Sequence, residues 1–105
     1  MPSVARIGDI ISTGHGCDSI SLIKQGSTNV FVNGRGVVRV GDADTHDKEE
    51  IIETEEGIEI ICVPHTVTVG AGSNKVFVNG RGVARIGNTF SGEPITTGSL
   101  NVFAG

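Results

Sequence analysis

Asn29–Asp42 reads NVFVNGRGVVRVGD and Lys75–Asn88 reads KVFVNGRGVARIGN, so one fourteen-residue unit occurs twice almost letter for letter. Each copy follows a Gly-Ser pair, Gly26-Ser27 or Gly72-Ser73, and stops at Gly41-Asp42 or Gly87-Asn88. Asn33-Gly34 and Asn79-Gly80 supply the two residues that tolerate positive φ in a type I′ turn. Around the first turn Val30, Val32, Val38 and Val40 can face one way, with Phe31 and Val37 facing the other, which is strand periodicity. Each unit therefore reads as a β-hairpin with at least one buried face. A lone two-stranded unit does not offset its ordering entropy, so several must share a core.

A third copy is divided between the ends of the chain. Gly98-Ser99-Leu100-Asn101-Val102-Phe103-Ala104-Gly105 matches the opening half of the unit, and Ser3-Val4-Ala5-Arg6-Ile7-Gly8-Asp9 matches the closing half. If the last strand pairs with the first, three equivalent units close into one pseudo-threefold ring. The expected fold is thus all-β, a small conical arrangement of short hairpins forming one domain over residues 1–105.

Composition sets limits on this domain. Gly supplies 16 of 105 residues, Trp and Tyr none, and 37% are apolar, so the core is thin and a staple is expected from a metal, a disulfide or a partner. The formal charge is −4, and nine of the 12 acidic residues fall between Asp42 and Glu59. Such a segment argues against nucleic acid as a partner, because phosphate binding needs clustered Lys and Arg. No apolar run approaches the ~18 residues of a membrane span, and the N-terminus lacks a basic-then-apolar signal pattern. Synthesis in the cytoplasm without a cleaved signal is expected.

Between the ring units lie three unequal segments. Ile10–Gln25 contains the loop cluster STGHGCDS, followed by alternation at Ile20 and Leu22. From Asp42 to Ala71 the chain departs longest from the repeat. There Ile51–Thr54 and Ile58–Ile61 flank Glu55-Glu56-Gly57, which predicts an extra hairpin, and Cys62-Val63-Pro64-His65 is expected to break its second strand. The third segment, Thr89–Thr97, is short. Arg6, Arg39 and Arg85 occupy equivalent places in the three units, where an ion pair or backbone bonds within the ring are expected; Arg35 and Arg81 read as surface groups.

Every His and Cys of the chain falls in the first two of these segments: His15, Cys17, His46, Cys62 and His65. Equivalent loops of a symmetric ring leave on one side, so these groups can meet at one end. Cys62-x-x-His65 has the spacing of two ligands of a tetrahedral zinc, with His15 and His46 completing a three-His, one-Cys set. Cys17 competes with Cys62 for the thiolate position, because His15-Gly16-Cys17 also offers a thiolate, and Cys62 is preferred. The plainer alternative is separate loop histidines and small thiols, with one disulfide permitted by the two cysteines. Asp44 and Asp47 are candidate partners for an imidazole, with solvated loop charges as the favoured alternative. No nucleophile elbow, phosphate loop or paired-carboxylate motif occurs, and an enzyme is not expected.

Gly36-Val37-Val38-Arg39, Gly82-Val83-Ala84-Arg85 and Ser3-Val4-Ala5-Arg6, with Gly-Ser-x-x-Val-Phe-Val-Asn-Gly-Arg around them, resemble the repeats of the PAAR-repeat proteins. The motif's proline is replaced throughout, and the resemblance covers nearly the whole chain in the manner of short phage-type members. It implies a small β-structure that caps the trimeric β-helical spike of a contractile phage tail or a type VI secretion machine. It further implies zinc near the apex, held by His15, His46, Cys62 and His65, and a broad base docked on the spike as one monomer per trimer. Transient contact with a target cell envelope follows. The third segment offers no expected ligand, so the metal is expected to be held asymmetrically. The competing readings are a small zinc-dependent hydrolase and a free-standing zinc-binding adaptor module.

Overall fold

The computed structural model describes residues 1–105 and contains ten strands and no helix, so the all-β expectation is met. The two repeated hairpins are β3 (Phe31–Val32) with β4 (Arg35–Gly36), and β7 (Phe77–Val78) with β8 (Arg81–Gly82). Their turns carry positive φ at both central residues, 54° and 75° in each, as a type I′ connection requires. The hairpins are tight because Gly36 and Gly82 pass close to a neighbouring carbonyl. A Cβ there would lie 2.3 Å from Ser27 O or 2.5 Å from Ser73 O.

Three backbone bonds close the ring. Ala5 N–H donates to Ala84 O at 2.9 Å, Ala84 N–H to Val38 O at 2.9 Å, and Val38 N–H to Ala5 O at 3.0 Å. A second set repeats the pattern, from Ile7 to Gly36, Val40 to Gly82 and Ile86 to Ser3. The split unit is complete as well: Ser3 bridges Phe103, and Val4 N–H donates to Val102 O at 3.0 Å. The buried Gly-Ser hydroxyls do identical work in each unit. Ser27, Ser73 and Ser99 each accept from the amide three residues on at 2.9 Å, satisfying a backbone donor that the short strands leave free.

Side chains repeat the same order and reveal the seam. Arg6 pairs with Asp9 at 3.0 Å and Arg39 with Asp42 at 2.9 Å, and Arg35 and Arg81 reach across to those same aspartates at 3.1 and 3.2 Å. Arg35 and Arg81 are therefore ring contacts and not simply surface groups. Each buried carboxylate has two guanidiniums, which offsets its desolvation. At the seam Pro2 stands where the other units have Arg35 and Arg81. There the acid is replaced by the amide Asn88, which accepts from Arg85 at 3.2 Å. Asp9 shows the balance: burial raises its carboxyl, but bonds from Arg6 and Thr97 more than reverse this and hold it below the ordinary 3.8.

The core has two layers. Val4, Val37, Val83 and Ala104 form one inside the ring, with Val32, Val78 and Val102 against it. Ala5, Val38 and Ala84 belong to the second, with Ile11, Ile23, Val67, Val69, Phe90 and Ile95 from the connecting segments. Val37 and Val38 are consecutive and both buried, because the ring lies between the two layers.

The segments that leave the ring hold the remaining strands. β1 (Ile10–Ser12) pairs with β2 (Ile20–Leu22), and β9 (Thr89–Phe90) with β10 (Glu93–Pro94). Between them β5 (Ala43–Thr54) and β6 (Gly57–Thr68) form one twelve-residue antiparallel ribbon. The extra hairpin is thus present but longer than expected, and Cys62–His65 continues its second strand instead of breaking it. At ~3.3 Å per residue the ribbon is about 40 Å long, which accounts for the longest molecular extent of 54 Å against 24 and 21 Å.

Candidate metal centre

The ribbon brings the first two ligands together by register. His46 lies directly opposite His65, so both point to the ribbon face that meets the body, together with Asp44 and Val67. His15 arrives from the loop after β1. There the Thr13 hydroxyl accepts from His15 N–H at 3.0 Å and donates to the Asp18 carbonyl, drawing the loop into a tight bend. Glu93 arrives from the third segment, at the exit of a Ser91-Gly92 turn whose φ values are 48° and 93°. It sits opposite the fully buried Phe90, whose packing fixes where Glu93 points.

His15, His46, His65 and Glu93 each present one ligand atom, and these atoms lie within 4.8 Å of one another. Glu93 Oε1 is 2.7 Å from His46 Nε2, while Oε2 is 3.3 Å from His65 Nε2 and 3.2 Å from His15 Nε2. The two ribbon imidazoles approach Nε2 to Nε2 at 3.0 Å, with rings nearly perpendicular at 80°. Metal–ligand bonds of about 2.0–2.1 Å in a tetrahedron place the ligand atoms ~3.3 Å apart, so the set has the right scale for one small cation.

The surroundings support the same chemistry. Asp44, itself buried, accepts from His46 Nδ1 at 2.8 Å and from Ser21 Oγ at 2.7 Å. This carboxylate fixes the tautomer in which Nε2 offers its lone pair to the centre. Glu93 Oε1 is buried and makes no hydrogen bond, although His46 Nε2 is close. Two buried acceptors facing each other without a proton between them are costly, and a shared cation removes that cost. His15 is steadied from outside by Glu49, 3.3 Å from its Nδ1. Glu49 is held below its ordinary range, first by its own backbone N–H, and, against a desolvation that raises it, by Cys17 N–H and His15. Exposure is graded, from 2% for the His46 side chain to 11% for Glu93, 23% for His65 and 25% for His15.

The structure brings three of the four expected residues together and adds a different fourth. His15, His46 and His65 converge, but Cys62 is joined to Cys17 in a disulfide and its place is taken by Glu93. Cys62 shares the opposite ribbon face with its register partner Glu49, because residues three apart on a straight strand point to opposite sides. The expectation that the third segment offers no ligand is also corrected, since Glu93 of that segment joins the cluster. Of the two candidate imidazole partners, Asp44 is buried and bonds His46, whereas Asp47 bonds no imidazole and its amide donates to Asp18 at 2.7 Å.

No protein-family model matches the chain, and comparison with curated proteins returns no match.

Proposed function

We propose that the protein is the tip of a trimeric β-helical spike of the contractile-tail or type VI secretion kind, stiffened by zinc bound to His15, His46, His65 and Glu93. The observation that carries this reading is a threefold set of exposed aromatic rings. Phe31, Phe77 and Phe103 occupy equivalent positions in the three units, and their exposures are 58%, 58% and 47%. An isolated exposed apolar residue needs no explanation, but three related by a ring's symmetry match a partner of the same symmetry. Val30 and Val76, at 37% and 40% exposure, extend the patch.

Zinc suits the donor set, because three imidazoles and a carboxylate with a carboxylate behind one histidine are borderline ligands in fourfold geometry. Four protein ligands leave no place for the bound water that zinc hydrolysis uses, which favours a structural role over the hydrolase reading. The surface cavity of about 450 Å³ points the same way. It is lined by Val40, Ser73, Phe77 and Arg81 among others, none of them in the histidine cluster. An ion joining all three segments above a thin core stiffens the end from which the ribbon projects.

The test is co-sedimentation with a purified β-helical spike trimer. One copy per trimer is expected, with binding weakened at least about tenfold in Phe31→Ser/Phe77→Ser. A protein that stays free of the trimer, or a double variant that binds as well as the parent, overturns the docking claim.

A further inference from the structure

We propose that the Cys17–Cys62 disulfide is a redox-responsive site that controls the metal centre, by strapping the loop that carries His15 across the edge of the ribbon. This rests on the metal reading above and adds its regulation.

The geometry is that of a clasp. His15 and Cys17 are two residues apart and reach opposite faces of the ribbon. His15 lies with His46 and His65 on the inner face, and Cys17 is bonded to Cys62 on the outer one. The loop between them runs along the edge of β5, with Asp47 N–H donating to Asp18 at 2.7 Å and Cys17 N–H to Glu49 at 3.0 Å. Of the four ligand-bearing positions only His15 belongs to an irregular segment; His46, His65 and Glu93 sit in strands. Glu49 joins the two halves, since it takes the Cys17 amide with one oxygen and faces His15 Nδ1 with the other. Cys62 is exposed and Cys17 half-buried, so a reductant in solution can reach the bond.

Thiol–disulfide exchange supplies the chemistry. A thiolate of a small thiol, or of a dithiol protein, attacks the exposed Cys62 sulfur, and Cys17 leaves as a thiolate. A second thiolate attacks the mixed disulfide and frees Cys62. Two protons reach the released sulfurs, and the two donor thiols become one disulfide. The loop is then held to the ribbon only by hydrogen bonds that water can replace. Ordering His15 onto the centre now costs conformational entropy that the closed disulfide had already removed, and affinity for the ion falls. Exchange with a small-molecule disulfide, or with the disulfide of a dithiol protein, runs both steps in reverse, releases two thiols to the oxidant and restores the clasp over the ion.

The experiment measures zinc affinity of the full chain against a competing chromogenic chelator, for oxidised protein and for protein reduced with a phosphine. Binding at least about tenfold weaker in the reduced form is expected, the scale of losing a ligand's support. Cys17→Ser/Cys62→Ser should bind like the reduced form and ignore the phosphine, with circular dichroism showing that its strands persist. Amide exchange of the metal-free protein should accelerate over residues 13–19 on reduction. Equal or tighter zinc binding after reduction overturns the coupling while leaving the metal centre intact. Absence of zinc binding in both states overturns the metal centre, and the clasp with it.

Discussion

Zinc should set the thermal stability of this domain, and its slope can be worked out in advance. An ion that binds only the folded chain stabilises it by RT ln(1 + [Zn]/Kd), so each tenfold rise in free zinc above Kd adds about 1.4 kcal/mol. Unfolding entropy near 60 °C is about 2.1 cal/mol/K per residue, or roughly 0.22 kcal/mol/K for a chain of this length. Each decade of zinc should therefore raise Tm by about 6 °C, and a thousandfold excess, worth about 4 kcal/mol, by about 19 °C. The assay is thermal unfolding by circular dichroism at buffered free zinc, with a chelator defining the zero. Glu93→Gln keeps the shape but loses the charge that faces His46, and the rise should begin about two decades later. Cys62→Ser should keep the slope, because its sulfur is bonded to Cys17 and not to the ion, with the rise beginning about one decade later because the loop of His15 is released. A Tm independent of zinc refutes the centre. A Glu93→Gln curve that overlays the parent refutes the fourth ligand.

Asp9→Asn should destabilise the domain at neutral pH by removing a carboxylate shared by Arg6 and Arg35. The folded carboxyl lies below its unfolded value of 3.8, so its contribution is complete above that pH and fades below it. In urea titrations, the gap between variant and parent should close as pH falls through that range; a gap that widens on acidification counts against the pairing. Phe90→Ala empties a fully buried site that positions Glu93, and should cost about 3–5 kcal/mol in chemical denaturation while also weakening zinc binding. A loss below about 1 kcal/mol would show that the second core layer is not packed around this ring. Gly36→Ala sets a methyl 2.3 Å from Ser27 O, so the hairpin must open, and a loss above about 2 kcal/mol is expected in the same assay. Removing the disulfide, which spans 45 residues of sequence, should cost up to about 4 kcal/mol by chain entropy, measured without metal.

The ring was legible because its determinants are local and repeated. Asn33-Gly34 and Asn79-Gly80 dictate their turns whatever surrounds them, and the matching halves at Ser3–Asp9 and Gly98–Gly105 specify how the ends pair. The burial of both Val37 and Val38 was not legible. Alternation assigns them to opposite faces, and only the stacked ring shows that a second layer, built from Ile11, Phe90 and Ile95, waits on the far side.

Three of the four residues that cluster in the structure were legible as candidates, and the fourth was missed for a physical reason. Cys62-x-x-His65 has metal-ligand spacing only if the chain turns between the two residues. The segment runs straight from Gly57 to Thr68, paired residue for residue with β5, so an odd separation sends the two side chains apart. His15 and Cys17 are an even two apart and lie in an irregular loop, so strand parity does not govern them; the bend of that loop along the ribbon edge carries Cys17 to Cys62 on the outer face. Glu93 was hidden because one glutamate in a short loop has no pattern around it. Symmetry carried the signal instead. A ring of three equivalent units sends three segments toward one end, and Glu93 is the one metal-ligating side chain between Thr89 and Thr97. Histidines from two segments leave the third side of the cluster open, and the buried, unpartnered Oε1 of Glu93, 2.7 Å from His46 Nε2, is the atom that fills it.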